Sequence, residues 1–219
     1  MFDFVLSPAH DLLNALSGHT GGLLAIILFT VAVRLLLLPL GLRQARAQRA
    51  RARLAPEVTK LRKRFSRDPK RFQRELNALY AGAGTSAFAG IGSALAQSPF
   101  FLVMYRLFVS ATIAGHSNLL LAQSALGVPL GEHFSAALAH SGVFGAPALI
   151  FVALFALLAL VAWQSTRLVP DMPEVPMSGV LKLLPYGSVI AAGFLPLAAG
   201  IYLLISTAWT TAERSLRTA

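Results

Sequence analysis

Four apolar stretches, each long enough to cross a lipid bilayer, dominate this chain. A helix needs about 20 apolar residues to span a hydrocarbon core about 30 Å thick. The clearest stretch is 21–41, which runs Gly-Gly-Leu-Leu-Ala-Ile-Ile-Leu-Phe-Thr and ends Leu-Pro-Leu-Gly. A second covers 88–113 and a third 144–164. The last apolar run, 179–212, has 34 residues. As one helix it would be about 51 Å long, well beyond the hydrocarbon thickness. Gly193 and Pro196 lie in its middle and offer a turn. The run therefore reads as two short helices, 179–194 and 196–212. The expected fold is an all-α integral membrane protein with five transmembrane helices. Only 13% of the 219 residues are charged, against about 25% in soluble domains. Little of the chain is left for a separate soluble domain.

The formal charge is +10, and one segment carries it. Between Arg43 and Tyr80 there are 13 basic residues and 3 acidic ones, Glu57, Asp68 and Glu75. Lys and Arg mark the cytoplasmic side of a membrane protein. The segment 1–20 has neither residue, and nor does the loop 114–143. The basic segment 42–82, Arg167 in the loop 165–178, Lys182, and Arg214 and Arg217 in the tail 213–219 all fall on the opposite side if the spans number five. The expected topology has the N-terminus outside and the C-terminus in the cytoplasm, in a bacterial cytoplasmic membrane. Met1-Phe2-Asp3-Phe4 lacks the basic start of a cleavable signal, so the first span is expected to be retained. Segment 1–20, with Leu6, Leu12, Leu13 and Leu16, reads as a helix at the outer interface.

The basic segment has a pattern. Leu54, Val58, Leu61 and Phe65 recur at helical spacing, and so do Phe72, Leu76, Leu79 and Tyr80. Asp68-Pro69 between them predicts an N-cap followed by proline in the first helical turn. The segment is thus a cytoplasmic amphipathic helical hairpin. A charge run is often no more than a solvated face. Beside a membrane, Arg62, Lys63, Arg64, Arg67, Lys70 and Arg71 are suited to hold anionic lipid head groups or ribosomal RNA.

Arg34 is the sharpest single residue. It lies inside the first span, about 4–5 Å from the midplane at 1.5 Å per residue. An arginine there costs about 2.5–3.5 kcal/mol on insertion scales. None of the nine acidic residues falls in a predicted span, so no internal ion pair is expected. The remaining solutions are backbone carbonyls or a water-filled groove within the bundle. Thr30 lies one turn before Arg34. Span 2 offers Ser93, Gln97 and Ser98, span 4 Tyr186 and Ser188, and span 5 Tyr202, Ser206, Thr207 and Thr210. Singly, each is an ordinary interhelical hydrogen bonder. Beside a lone arginine they suggest a hydrophilic groove that draws in the acidic or polar flank of a passing chain. Arg106, near the outer end of span 2, reads as an interfacial anchor. Pro39 and Pro99 are expected to bend spans 1 and 2.

The sequence gives no support for bond-making catalysis. There is no cysteine, which excludes disulfides, Fe–S clusters and thiolate zinc sites. The histidines, 10, 19, 116, 133 and 140, show no metal-ligand spacing. There is no phosphate-binding glycine loop and no paired intramembrane carboxylates. No cofactor is expected. No internal repeat of the inverted-transporter kind is visible.

Several segments, in order, resemble the YidC/Oxa family of membrane protein insertases. Residues 27–40, Ile-Leu-Phe-Thr-Val-Ala-Val-Arg-Leu-Leu-Leu-Leu-Pro-Leu, followed by Gln44, are similar to the family's arginine-bearing first core helix. The basic hairpin up to Leu79-Tyr80 is similar to its cytoplasmic hairpin. Gln97-Ser98-Pro99-Phe100-Phe101 with Met104-Tyr105-Arg106 resembles its Gln-x-Pro-x-Phe helix. Residues 196–202 and 206–210 resemble its last helix, with Leu203 where a second tyrosine often stands. The short outer loops resemble the bacterial form without a large outer domain.

The resemblance implies an insertase or chaperone that is not an enzyme. Its five helices would surround a hydrophilic groove that recruits polar tails through Arg34, helped by Thr30, Gln97, Ser93, Tyr202 and Ser206. Its implied partners are nascent membrane proteins, the ribosome, the Sec translocon and anionic lipids, and a monomer would suffice. Two other classes fit some of the same residues. An ion or solute conduit would use Arg34 to attract anions. A membrane-anchored scaffold would use only the basic hairpin, to bind RNA or lipid.

Overall fold

A computed structural model describes residues 3–84, 103–113, 116–168 and 183–218. Its described residues are mostly helical. Helix α1 covers Asp3–Thr20 and α2 covers Gly22–Arg64. Gly21, at φ 79°, separates them. A left-handed backbone there suits a residue without a Cβ. Helix α2 passes from the apolar span into the basic segment without a break. Its composition changes at Leu42, but Arg, Gln and Ala are all good helix formers, so the helical backbone continues. Pro39 and Pro56 lie inside it. Helix α3 covers Pro69–Gly82.

The chain divides into two compact units, Leu35–Leu102 in one and Met1–Arg34 with Val103–Ala219 in the other. In the first, a turn at 65–68 joins α2 to α3. Asp68 caps α3, its carboxylate accepting from the Arg71 N–H at 3.0 Å, and Pro69 opens the helix. Leu54, Val58, Leu61, Phe65, Phe72, Leu76, Leu79 and Tyr80 are all half-buried. They form the stripes expected of amphipathic helices.

In the second unit, helix α4 is described over 103–109. The expected span to residue 113 stops short, because Thr112–Ile113 (β1) pairs with His116–Ser117 (β2). The Asn118 amide explains the stop. Its Nδ2 donates to the carbonyls of Leu107 at 2.8 Å and Ser110 at 3.1 Å, serving C-terminal carbonyls that a helix leaves unpaired. A small folded cap follows, made of α5 (Leu119–Ala122), the two-residue strands Ser124–Ala125 and Val128–Pro129, and α6 (Phe134–Ser141). Leu120, Val128, Leu130 and Ala137 are its fully buried side chains. Helix α1 packs on α5 and β1, burying Leu13, and Gln123 Nε2 donates to Ser17 Oγ at 2.8 Å.

Helix α7 (Ala146–Arg167) is the centre of this unit. Its buried stripe is Ala148, Phe151, Leu154, Leu158, Ala162 and Ser165, at helical spacing. It packs on α6, on the 3-10 turn Leu184–Tyr186, on α8 (Gly187–Phe194) and most extensively on α9 (Leu197–Thr218). Extended Leu195 breaks the last apolar run into α8 and α9, beside the expected Pro196. The start of α9 is tied to the cap: its Leu197 and Ala198 N–H groups donate to the carbonyls of Glu132 and Leu130, each at 2.9 Å.

The remaining faces of these helices point outward and are apolar. Leu149, Val152, Leu157, Leu160 and Trp163 on α7 are exposed, as are Leu24 and Leu28 on α2 and Ile190 and Phe194 on α8. A continuous apolar exterior of this kind belongs in lipid rather than water. Among the described residues, 22–39 and Ala146–Arg167 are long and apolar enough to cross a membrane.

Candidate functional site

Helix α9 presents a polar strip. Ser206, Thr207, Thr210, Thr211 and Arg214 fall at i, i+1, i+4, i+5 and i+8, which is one helical face. These five residues line a cavity of about 360 Å³. Helix α7 contributes Val161, Ala162 and Ser165, the 3-10 turn Leu184 and Pro185, α8 Ser188, and α2 Arg34. Among the described residues the lining holds six hydroxyl side chains and two guanidinium groups, and no carboxylate.

The hydroxyls are already turned toward their own helices. Thr207 donates to Leu203 O at 2.7 Å, Thr210 to Ser206 O at 2.9 Å, Thr211 to Thr207 O at 2.9 Å and Ser188 to Pro185 O at 2.8 Å. With their protons committed, these oxygens offer lone pairs. Donors come from the two guanidinium groups. Ser206 differs from its neighbours: its Oγ is buried and has no partner. Arg34 is half-buried and Arg214 exposed. The cavity can therefore bind an anion through its arginines and a polar chain through its hydroxyls.

Of the groove residues expected from the sequence, Arg34, Ser188, Ser206, Thr207 and Thr210 meet here. Thr30 does not line the cavity. It is buried, 1% exposed, and its Oγ1 donates to Ile26 O at 2.7 Å. Tyr202 does not line it either: its ring stacks on Phe108 of α4, with centroids 5.3 Å apart. Ser93 and Gln97 lie outside the described residues. Ser165, Thr211 and Arg214 are lining residues that sequence reasoning missed. The i, i+4, i+8 repeat of Ser206, Thr210 and Arg214 was the available signal for the last.

A second cavity, about 470 Å³, is lined by Val161, Gln164, Arg167, Leu168, Ala208, Thr211, Ala212 and Ser215. It is more apolar in its residues and does not include Arg34. The Arg167 guanidinium lies 3.6 Å from the centroid of Trp163, a cation–π pair at the end of α7.

In the hairpin unit, Arg62, Lys63, Arg64, Arg67, Lys70 and Arg71 are all exposed. Arg64 and Arg71 bracket Phe65, with guanidinium carbons 5.5 and 5.3 Å from the ring centroid. The six side chains present a basic surface clustered at the hairpin turn. Among the described residues, no group of three His, Asp or Glu side chains could hold a metal ion.

Comparison with known proteins agrees with this architecture. A family profile described as 60Kd inner membrane protein matches residues 13–218. A membrane protein insertase YidC from Clostridium perfringens is 34% identical over 115 residues, 51% of this chain and 48% of the relative. A membrane protein insertase YidC 1 from Halalkalibacterium halodurans is 30% identical over 196 residues, 88% of this chain and 67% of the relative. A membrane protein insertase YidC from Chlorobium limicola is 24% identical over 215 residues, 97% of this chain but 35% of the relative. The chain thus spans about half or less of two of these relatives and two thirds of the third. A profile match that runs from α1 to the end of α9 shows that the chain belongs to the 60Kd inner membrane protein family, the YidC/Oxa family.

Proposed function

We propose that this chain is a membrane protein insertase of the bacterial cytoplasmic membrane, acting on hydrophobic segments and short polar flanks of nascent membrane proteins. The observation that carries the reading is Arg34 in a hydroxyl-lined cavity, without a carboxylate among the described residues, within a unit whose outward faces are apolar. A buried unpaired hydroxyl such as Ser206 costs about 1–3 kcal/mol in a dry site, and an unpaired guanidinium at bilayer depth costs about as much or more. Water, or the polar flank of a client, removes both costs. The cavity thereby lowers the barrier for a flank that would otherwise enter bare hydrocarbon.

The reading extends to a five-span arrangement, 21–41, 88–113, 144–164, 179–194 and 196–212, with the N-terminus outside and the C-terminus in the cytoplasm. Ser93 and Gln97 of span 2 complete the groove, and Thr30 and Tyr202 brace it from behind. The apolar segment of the client moves along the lipid-facing edge. Leu184–Phe194, 11 residues, is too short to cross a full bilayer and favours local thinning. The basic hairpin meets the ribosome, the incoming chain or anionic lipid head groups, and cooperation with the Sec translocon is compatible with a monomer. The work is physical, with no catalytic group and no cofactor.

The test is Arg34→Ala in the full chain, in cells depleted of their own insertase. Insertion of several small proteins with acidic outer tails is expected to fall about tenfold, the loss of one charge-assisted hydrogen bond. Retained activity on all of them would overturn the role given to Arg34. Ion conductance in planar bilayers without any client would favour a conduit instead.

A further inference from the structure

The cap between α4 and α7 sits at the end of its unit where three helices begin. Gln123 and Leu130 lie against Gly22 at the start of α2. The carbonyls of Leu130 and Glu132 accept from the first N–H groups of α9, and α6 leads directly into α7. Helices α2 and α7 carry lipid-facing apolar surfaces, so the cap lies at a membrane interface. Its composition is unlike that of a water-facing loop. From Ser110 to Gly145 the one charged residue is Glu132, where a soluble domain carries about 25% charge. Leu119, Leu126, Val143 and Phe144 are exposed apolar side chains within it.

Leu126 has the least expected backbone of these. Strands β3 (Ser124–Ala125) and β4 (Val128–Pro129) pair across a two-residue turn, Leu126–Gly127, with φ of 54° and 86°. Positive φ at both positions is the type I′ geometry, which favours Asn-Gly, Asp-Gly or Gly-Gly. Among the described residues, Leu126 alone outside glycine has a positive φ. A leucine there strains the backbone. It is 77% exposed, so packing within the protein offers little in return. Transfer of the side chain from water into hydrocarbon would offset the strain. We propose that Leu126 is a membrane wedge, placing the tip of the β3–β4 hairpin in the boundary between head groups and acyl chains of the adjacent phospholipid leaflet. Phe144, 89% exposed and two residues before α7, continues the lipid-facing surface of that helix into the same boundary. The contact anchors the cap, and through it the starts of α2 and α9. It requires no client and stands apart from the insertase reading.

The chain has no cysteine, so Leu126→Cys carrying an environment-sensitive fluorophore reports on the turn alone. The full chain is reconstituted, without client, in liposomes of phosphatidylethanolamine and phosphatidylglycerol. Relative to the dye on free cysteine in water, emission should shift to the blue, lose its quenching by aqueous iodide and gain quenching by lipids with a nitroxide near the head group. A second pair of variants carries the label at Ser124→Cys, an exposed strand position, with either Leu126 or Leu126→Asn. Asparagine suits a left-handed backbone, so Leu126→Asn should melt no lower in detergent, while lipid quenching at position 124 should fall. Iodide quenching at position 126 equal to that of the free dye would overturn the proposal. So would lipid quenching at position 124 that Leu126→Asn leaves unchanged, or a lower melting temperature, which would place Leu126 in the packing of the cap. Protection from iodide that appears only with added client, or only at high protein-to-lipid ratio, would also overturn it, by assigning the tip to a client or to a second copy of the chain.

Discussion

Gly200 marks a tight contact between α9 and α7. A Cβ built on it would lie 2.6 Å from Leu154 Cδ2, the tip of a side chain that α7 packs against α9. Replacing Gly by Ala gains about 1 kcal/mol of helix propensity, but overpacking a tight contact costs about 1–3 kcal/mol. Gly200→Ala is therefore expected to lower stability by up to about 2 kcal/mol, and Gly200→Leu by more. Thermal unfolding in detergent measures both; a higher melting temperature for Gly200→Ala would show that Leu154 yields freely. Arg34 stood out in the sequence because a lone guanidinium in an apolar run has few physical solutions. The surrounding hydroxyls were only partly legible. Thr30 shares a face with Arg34 by spacing, but its hydroxyl bonds within its own helix and is sealed. Tyr202 lies one turn before Ser206, but its ring turns to Phe108. Spacing gives a side chain's direction, and packing decides what it meets.

At the level of the elements, α3 offers the cleanest case of local chemistry. Asp68 accepts from Arg71 N–H, and Pro69 opens the helix. Asp68→Ala is expected to cost about 1 kcal/mol locally. Amide hydrogen exchange should quicken in the first turn of α3 and stay unchanged in α7; protection unchanged in both would mean that the cap contributes nothing. Helix periods, this cap and the break near Pro196 could all be read from the sequence, because each depends on neighbours a few residues away. The cap between α4 and α7 could not. Its bonds join distant segments, Gln123 to Ser17 and the α9 N–H groups to Leu130 and Glu132. Nor did the sequence show that α2 would run on to Arg64. The change from apolar to basic alters its surroundings but not its helical propensity.

Across the whole molecule, charge and apolarity are separated. The basic surplus sits on the exposed hairpin, the apolar side chains point outward from α2, α7 and α8, and the polar cavity is enclosed by α2, α7, the start of α8 and α9. An insertase needs that separation, because a client brings an apolar segment and a polar flank that require different surroundings. The proposed insertase mechanism requires the cavity around Arg34 to be wet and open to the cytoplasm, the side from which a nascent chain arrives. The chain has no cysteine, so Ser206→Cys introduces a single thiol inside the cavity. Its labelling by a membrane-impermeant thiol reagent, applied in turn to each face of oriented membrane vesicles, tests the claim directly. Labelling from the cytoplasmic face alone is the predicted result. A thiol that stays unmodified from both faces while reacting fully after denaturation, or one that reacts from the outer face, would contradict it.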